Sequence, residues 1–196
     1  DISFEIHPEF VDPPNQKFLS ENVPYAARRS DVVATVSPNA KKEIEEHYKI
    51  PGSKVKVIPN GVDKTVFYKR DKEEIRRKKA EYGISGDYFI FVGNIEPRKN
   101  LIRLVNSYRA LPKAITDKVG LLLIGGGGWQ DKEINEVINQ ARYDGYRILR
   151  PYKYVPDEDL PALYSGAQAL VYPPFYEGFG MPPLEAMACQ TPVIST

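Results

Sequence analysis

The feature that most constrains this chain is alternation. Short apolar runs rich in β-branched residues are separated by stretches with helical spacing. "DVVATVS" (31–37) reads as a strand, and "PNAKKEIEEHY" (38–48) as a helix with Ser37 as N-cap and Pro38 at the first helical position. "KVKVIP" (54–59) is a second strand, and "NGVD" (60–63) then breaks the pattern with a turn. A second series begins with strand "DYFIFVG" (87–93) and helix "NLIRLVNSYRAL" (100–111), with Asn100 placed to cap it. It continues with strand "VGLLLIGGGG" (119–128), helix "DKEINEVINQARYDG" ending in Gly145, and strand "YRILRPY". Helix "DEDLPALYSGA", strand "QALVYPP", helix "PPLEAMACQ" and strand "TPVIST" complete it. Strands separated by helices form a parallel sheet covered on both faces, an α/β architecture. The break near 60–70 predicts two such units, the first with two strands, too few to bury a core alone.

Bulk properties exclude several function classes. A hydrophobic content of 42% and a charged content of 27% are those of an ordinary globular chain. The formal net charge of +1 supplies no field to recruit nucleic acid. A lone cysteine, Cys189, permits no intrachain disulfide, fits a reducing compartment, and reads as a small core residue. No run approaches the roughly 18 apolar residues of a membrane span. The opening "DISFEIHPEF" lacks both a signal peptide and an initiator Met, so the chain is expected to be a piece of a longer protein. The run "DKEEIRRKKAEYG" (71–83) interleaves acids and bases and reads as a solvated helix face.

In an open parallel sheet, ligands sit beyond the carboxyl ends of the strands, so the loops after 88–92, 121–124 and 169–172 should share one crevice. The first loop, "GNIEPRKN", opens with Gly93 and brings Arg98 and Lys99 to a helix N-terminus. Two cations beside a positive helix end suit a diphosphate, although such a pair can also be merely exposed. The second, "GGGGW" (125–129), either lines a pocket or is a flexible loop, and Trp129 reads as packing. The third, "PPFYEGFGMPPLEAMA", places Glu177 on the loop and Glu185 in the first turn of a helix beginning at Pro183. Gly178 and Gly180 open the backbone, while Pro182 and Pro183 stiffen it. Carboxylates there can accept hydrogen bonds from sugar or ribose hydroxyls, and Glu185 could also simply complement the helix dipole. "DED" (157–159) formally matches an Asp-x-Asp metal motif. It reads instead as Asp157 capping a helix, with Glu158 and Asp159 in its first turn. His7 and His47 offer no ligand spacing.

At this point "YEGFGMPPLEAMACQTPVI" resembles the paired-Glu signature of retaining, nucleotide-sugar-dependent glycosyltransferases of family 4, which have the GT-B fold. "SDVVATVS", "KVKVIPNGVD", "FVGNIEPRKNL" and "VPDEDLPALYSGAQALVYPP" are similar to family segments in the family's order. The resemblance implies most of a C-terminal Rossmann-like domain plus the tail of the N-terminal one. Residues 1–63 would be the remnant of the acceptor domain, 64–86 a linker and connecting helix, and 87–196 the nucleotide-sugar domain, truncated at its end. It implies that Arg98, Lys99 and Glu177 serve catalysis, the cations holding the diphosphate and Glu177 the donor sugar. Gly93, Asn94, Tyr154, Val155, Phe179, Gly180, Met181, Leu184 and Glu185 would bind substrate, with Tyr154 and Val155 lining the base and Glu185 meeting the ribose.

The implied activity is transfer of a hexose, such as mannose from GDP or glucose from UDP, to a sugar, glycan or glycolipid hydroxyl. No metal or other cofactor is implied. A sugar-nucleotide epimerase and a non-catalytic nucleotide-sugar-binding module are the alternatives. The implied setting is cytoplasmic polysaccharide biosynthesis, with peripheral association at the inner membrane face in the full-length enzyme. This piece alone is not expected to catalyse transfer. Two positions depart from common family text: Asn94 where many members have Arg, and Gln190 where Gly is usual.

Overall fold

Both strand–helix series fold as parallel sheets, and in different units. The computed structural model describes residues 1–196 and divides them into Asp1–Gly61 with Tyr176–Gly180, and Val62–Phe175 with Met181–Thr196. Residues 64–86, expected as linker and connecting helix, are grouped with the second unit.

The first unit contains α1 (Ser3–Ile6), a 3-10 turn (Pro8–Phe10), α2 (Pro13–Arg29), β1 (Val33–Thr35), α3 (Pro38–Tyr48) and β2 (Val55–Val57). β1 and β2 pair in parallel, Val33 opposite Val55 and Thr35 opposite Val57. α3 has the expected bounds, and the Ser37 hydroxyl accepts from the Ala40 N–H at 3.1 Å. Its buried face is Ala40, Ile44 and Tyr48, spaced by four, and it packs with Phe4, Ala27, Ile50 and Val55. α2 was not foreseen. Pro24 sits inside it, and a proline ordinarily argues against a helix interior. Its legible signals were prolines in the first turn and Leu19, Val23 and Ala27 at intervals of four, which face the same core.

The second unit contains α4 (Lys72–Glu81), β3 (Asp87–Val92), a 3-10 turn (Pro97–Lys99), α5 (Leu101–Arg109), α6 (Lys113–Thr116), β4 (Val119–Ile124) and α7 (Lys132–Tyr143). β5 (Ile148–Leu149), α8 (Leu160–Ser165), β6 (Ala169–Tyr172), α9 (Met181–Ala188) and β7 (Val193–Ser195) follow. The five strands are all parallel, in the order β5-β4-β3-β6-β7. β4 is buried along nearly its whole length, as expected of a strand covered on both faces. The chain winds outward from β3 to β5, returns to the other side of β3 as β6, and continues to β7. Right-handed crossovers put the helices of the two winding directions on opposite faces. Accordingly α5 packs on α7, while α8 packs on α4 and α9. The reversal opens a crevice beyond the carboxyl ends of β3 and β6, where such sheets bind ligands.

Three local expectations are corrected. Asn100 does not cap α5 with its side chain. It sits at φ 59, and its amide donates to the Pro173 carbonyl at 3.0 Å. Asp157 does not cap α8: the N-cap position is Asp159, whose carboxylate faces Lys78 and Tyr82 instead. α9 starts at Met181 rather than Pro183, so Pro182 and Pro183 lie in its first turn and Glu185 falls beyond it. Proline is tolerated there because first-turn N–H groups have no intrahelical partner.

Candidate active site

The loops after β3 and β4 are zipped together above the sheet. The Gly93 N–H donates to Ile124, Ile95 to Gly126, and Gly128 back to Ile95, at 2.8–3.0 Å. The glycine run is thus an extension of the ladder, with Ile95 bridged to Gly127, and not a loose loop. Gly93 and Gly125 adopt φ 148 and 145, and a Cβ on Gly125 would lie 2.0 Å from the Gly93 carbonyl oxygen.

Beyond that crossing, the 3-10 turn brings Arg98 and Lys99 to the head of α5. Lys99 is only 8% exposed, and its ammonium donates to the Tyr172 hydroxyl at 2.8 Å. Tyr172 ends β6, so this bond spans the two strands flanking the reversal. The Phe175 N–H donating to the Arg98 carbonyl at 2.9 Å, and the Asn100 amide on Pro173, fasten the same two loops. The Arg98 guanidinium pairs with Glu96 at 2.8 Å. The cationic pair therefore stands at the switch point, with Lys99 in a desolvated setting where its attraction for an anion is stronger than in water.

α9 carries the opposite charge in Glu185, and α8 supplies its partner Tyr164. The Tyr164 hydroxyl donates to Glu185 Oε2 at 2.9 Å. Burial pushes the Glu185 carboxyl above its ordinary value. The Tyr164 hydrogen bond opposes that shift, and the charge of Asp157 adds to it. Burial, then the charge of Glu185, hold the Tyr164 phenol well above its ordinary range, so it is a neutral donor. α8 packs on α9, and α9 on β6, the strand that Tyr172 ends, so the two pairs sit on adjoining elements. At the head of α9, Met181 and Leu184 offer N–H groups and the two prolines between them offer none.

Gly93 stands at the start of this crevice, with Asn94 beside it and exposed. Tyr154 and Val155 line a cleft of about 370 Å³ with Ile124, Gly125, Gly126 and Arg150, at the carboxyl ends of β4 and β5. Val155 is buried, whereas the Tyr154 side chain is 82% exposed. A groove of about 1040 Å³ between α5 and α7 contains none of the predicted residues.

The remaining predicted residues, Glu177, Phe179 and Gly180, belong to the first unit. There the Tyr176 hydroxyl donates to Glu43 Oε2 at 2.5 Å, and its ring lies 5.3 Å from that of His7. Gly180 adopts φ 89, a conformation glycine favours. The second unit thus holds Arg98 and Lys99 at the head of α5, Met181, Leu184 and Glu185 on α9, which follows β6, and Tyr154 and Val155 in the cleft at the ends of β4 and β5. Sequence reasoning missed Tyr164 and Tyr172. A tyrosine closing an otherwise apolar strand, as in "ALVY", was the available signal for the second.

Comparison with known proteins places this geometry in a family context. Residues 71–196 match the model described as Glycosyl transferases group 1, and residues 5–66 the model Glycosyltransferase Family 4. The chain is 32% identical over 195 residues to the O-antigen chain mannosyltransferase B of Escherichia coli, covering 99% of this chain and 50% of that protein. It resembles the solved sucrose-phosphate synthase of Thermosynechococcus elongatus with a TM-score of 0.71 and 25% identity, over 88% of this chain and 42% of that one. Anabaena HepE in complex with UDP-glucose matches with a TM-score of 0.77 and 20% identity, over 96% and 50% of the two chains, a likeness of fold. The chain thus spans about half the length of the curated relative it matches over nearly its whole extent. With a doubly wound parallel sheet of the GT-B kind and a family model covering 71–196, the chain belongs to the glycosyl transferases group 1 family.

Proposed function

We propose that the protein is a retaining, nucleotide-sugar-dependent hexosyltransferase whose second unit holds the donor. The observation that carries this reading is the pairing of Lys99 with Tyr172 and of Glu185 with Tyr164 at the sheet's switch point. An ammonium and a carboxylate, each already oriented, match the two polar ends of a ribosyl diphosphate. Glu185 accepts from the ribose hydroxyls, and Arg98, Lys99 and the head of α5 meet the diphosphate. The base lies in the cleft lined by Tyr154 and Val155. Gly93 and Asn94 border the diphosphate, and the N–H groups of Met181 and Leu184 face the sugar and phosphates. For Phe179 and Gly180 that role is carried by the family resemblance alone. Glu177 contacts the donor sugar, a role carried by the family resemblance.

As the glycosidic bond breaks, charge develops on the departing β-phosphate oxygen. Fixed cations and N–H dipoles already aimed there lower the barrier without reorganising, and no metal ion is required. The name of the mannosyltransferase relative supports mannose as the hexose. GDP as the carrier, and a sugar, glycan or glycolipid as acceptor, are carried by the family resemblance. No helix is long and apolar enough to cross a membrane. The reading is of a cytoplasmic enzyme working at the inner membrane face. A chain spanning about half of its relative's length is not expected to complete transfer by itself.

A binding panel tests it: GDP, UDP and ADP titrated with and without mannose or glucose. One diphosphate should bind at least tenfold tighter than the others. Equal, weak binding of all three would refute the donor assignment.

A further inference from the structure

Glu185 is an awkward residue to leave to itself. It lies past the first turn of α9, is partly buried, and has its carboxyl pushed toward the neutral form by burial and by Asp157. A glutamate so placed can rotate away or take up a proton, and either event removes an acceptor. Tyr164 opposes both. Its side chain is fully buried, and its backbone is fixed because its carbonyl accepts from the Ala167 N–H at 2.9 Å and from the Thr191 hydroxyl at 2.7 Å. The second bond ties α8 to the chain just past α9, the helix that carries Glu185. The Phe67 ring packs 6.5 Å from that of Tyr164. The phenol is therefore a fixed donor, aimed at one of the two carboxylate oxygens.

We infer that Tyr164 is a positioning residue for the donor site: by holding Glu185 Oε2 it fixes the carboxylate plane and leaves Oε1 as the oxygen that accepts from the ribose. This rests on the reading of Glu185 as the ribose acceptor. Tyr164 itself touches no substrate. Its effect passes wholly through Glu185, and so should appear only where a ribose hydroxyl is present.

The test is a cycle of two proteins and two ligand types. GDP and UDP are each titrated against their 2′,3′-dideoxy analogues, with the wild-type protein and with Tyr164→Phe. In the wild type the ribonucleotide should bind about tenfold tighter than the dideoxy form, the order expected for a hydrogen bond to a charged group. Tyr164→Phe should weaken the ribonucleotide about fivefold or more and the dideoxy nucleotide by less than twofold. A loss of equal size on both ligands marks a structural role and overturns the inference. So does an unchanged preference for the ribonucleotide. If the wild type itself shows no preference, the ribose reading of Glu185 falls and the inference falls with it, a result distinguishable from the other two. A second measurement needs no variant. The Tyr164 hydroxyl proton, observed by NMR, should stay protected from exchange when GDP or UDP is added. Loss of protection on binding would mean that the nucleotide displaces Tyr164, and would overturn the inference even if Tyr164→Phe failed to fold.

Discussion

Replacing Asp159 by alanine removes one end of a buried ion pair. Its Oδ1 lies 2.7 Å from the Lys78 ammonium, with the two side chains 11% and 13% exposed. Its Oδ2 accepts from the Tyr82 hydroxyl at 2.5 Å. Lys78, whose proton is held more tightly chiefly because of the Asp159 hydrogen bond, would keep only Glu81, at 3.0 Å. Breaking a buried pair by deleting one partner costs about 3–5 kcal/mol, and the surviving Glu81 contact argues for the low end. The expected loss is therefore about 3 kcal/mol, which for a chain of this size lowers the melting midpoint by roughly 6–12 °C. Urea unfolding followed by circular dichroism should show a lower midpoint with an unchanged slope. The paired replacement Lys78→Met with Asp159→Leu should recover most of the loss, because removing both charges leaves neither stranded. A loss below about 1 kcal/mol for Asp159→Ala, or no recovery in the double variant, would refute the reasoning.

Other consequences follow from single positions. Gln190 holds φ 59 at the end of α9, where Thr191 N–H closes back on Ala186, so Gln190→Gly should stabilise by about 1 kcal/mol in the same urea assay. Gly125→Ala would press its Cβ on the Gly93 carbonyl oxygen and should cost about 3 kcal/mol, whereas Gly126→Ala, with open space around it, should fall within about 0.5 kcal/mol of wild type. Glu81 is held down to about 2 by hydrogen bonds first from Lys153 and then from Lys78, against an ordinary value of 4.5. A depressed carboxyl stabilises the fold above the unfolded value and loses that contribution as pH falls toward the folded one. The melting points of wild type and Glu81→Gln should therefore differ at pH 6 and converge between about pH 4.5 and 2.

Much of the fold was legible because its signals are local. Ser37 and Pro38 fix the start of α3 through bonds within one turn, and the β-branched runs fix the strands. The helix starts at Asn100 and Pro183 were misread for a physical reason in each case. Asparagine caps helices but also tolerates positive φ, and here tertiary contact with Pro173 selects the second use. Two prolines in succession fit either before a helix or within its first turn, so their presence leaves the start uncertain by two residues. The site's cations and its second glutamate were visible as residue types near predicted strand ends. The tyrosines that hold them were not. Lys99 meets Tyr172 across 73 residues of sequence and Tyr164 meets Glu185 across 21, separations that no local pattern encodes. The ion pair that turns Asp159 inward likewise depends on α4 packing against α8.

The most direct test of the donor site is calorimetric titration of the preferred nucleoside diphosphate into the wild-type protein, Lys99→Ala and Glu185→Ala. Each variant should bind at least tenfold more weakly than wild type, about 1.4 kcal/mol or more, while remaining folded by circular dichroism. Wild-type affinity in both folded variants would contradict the account.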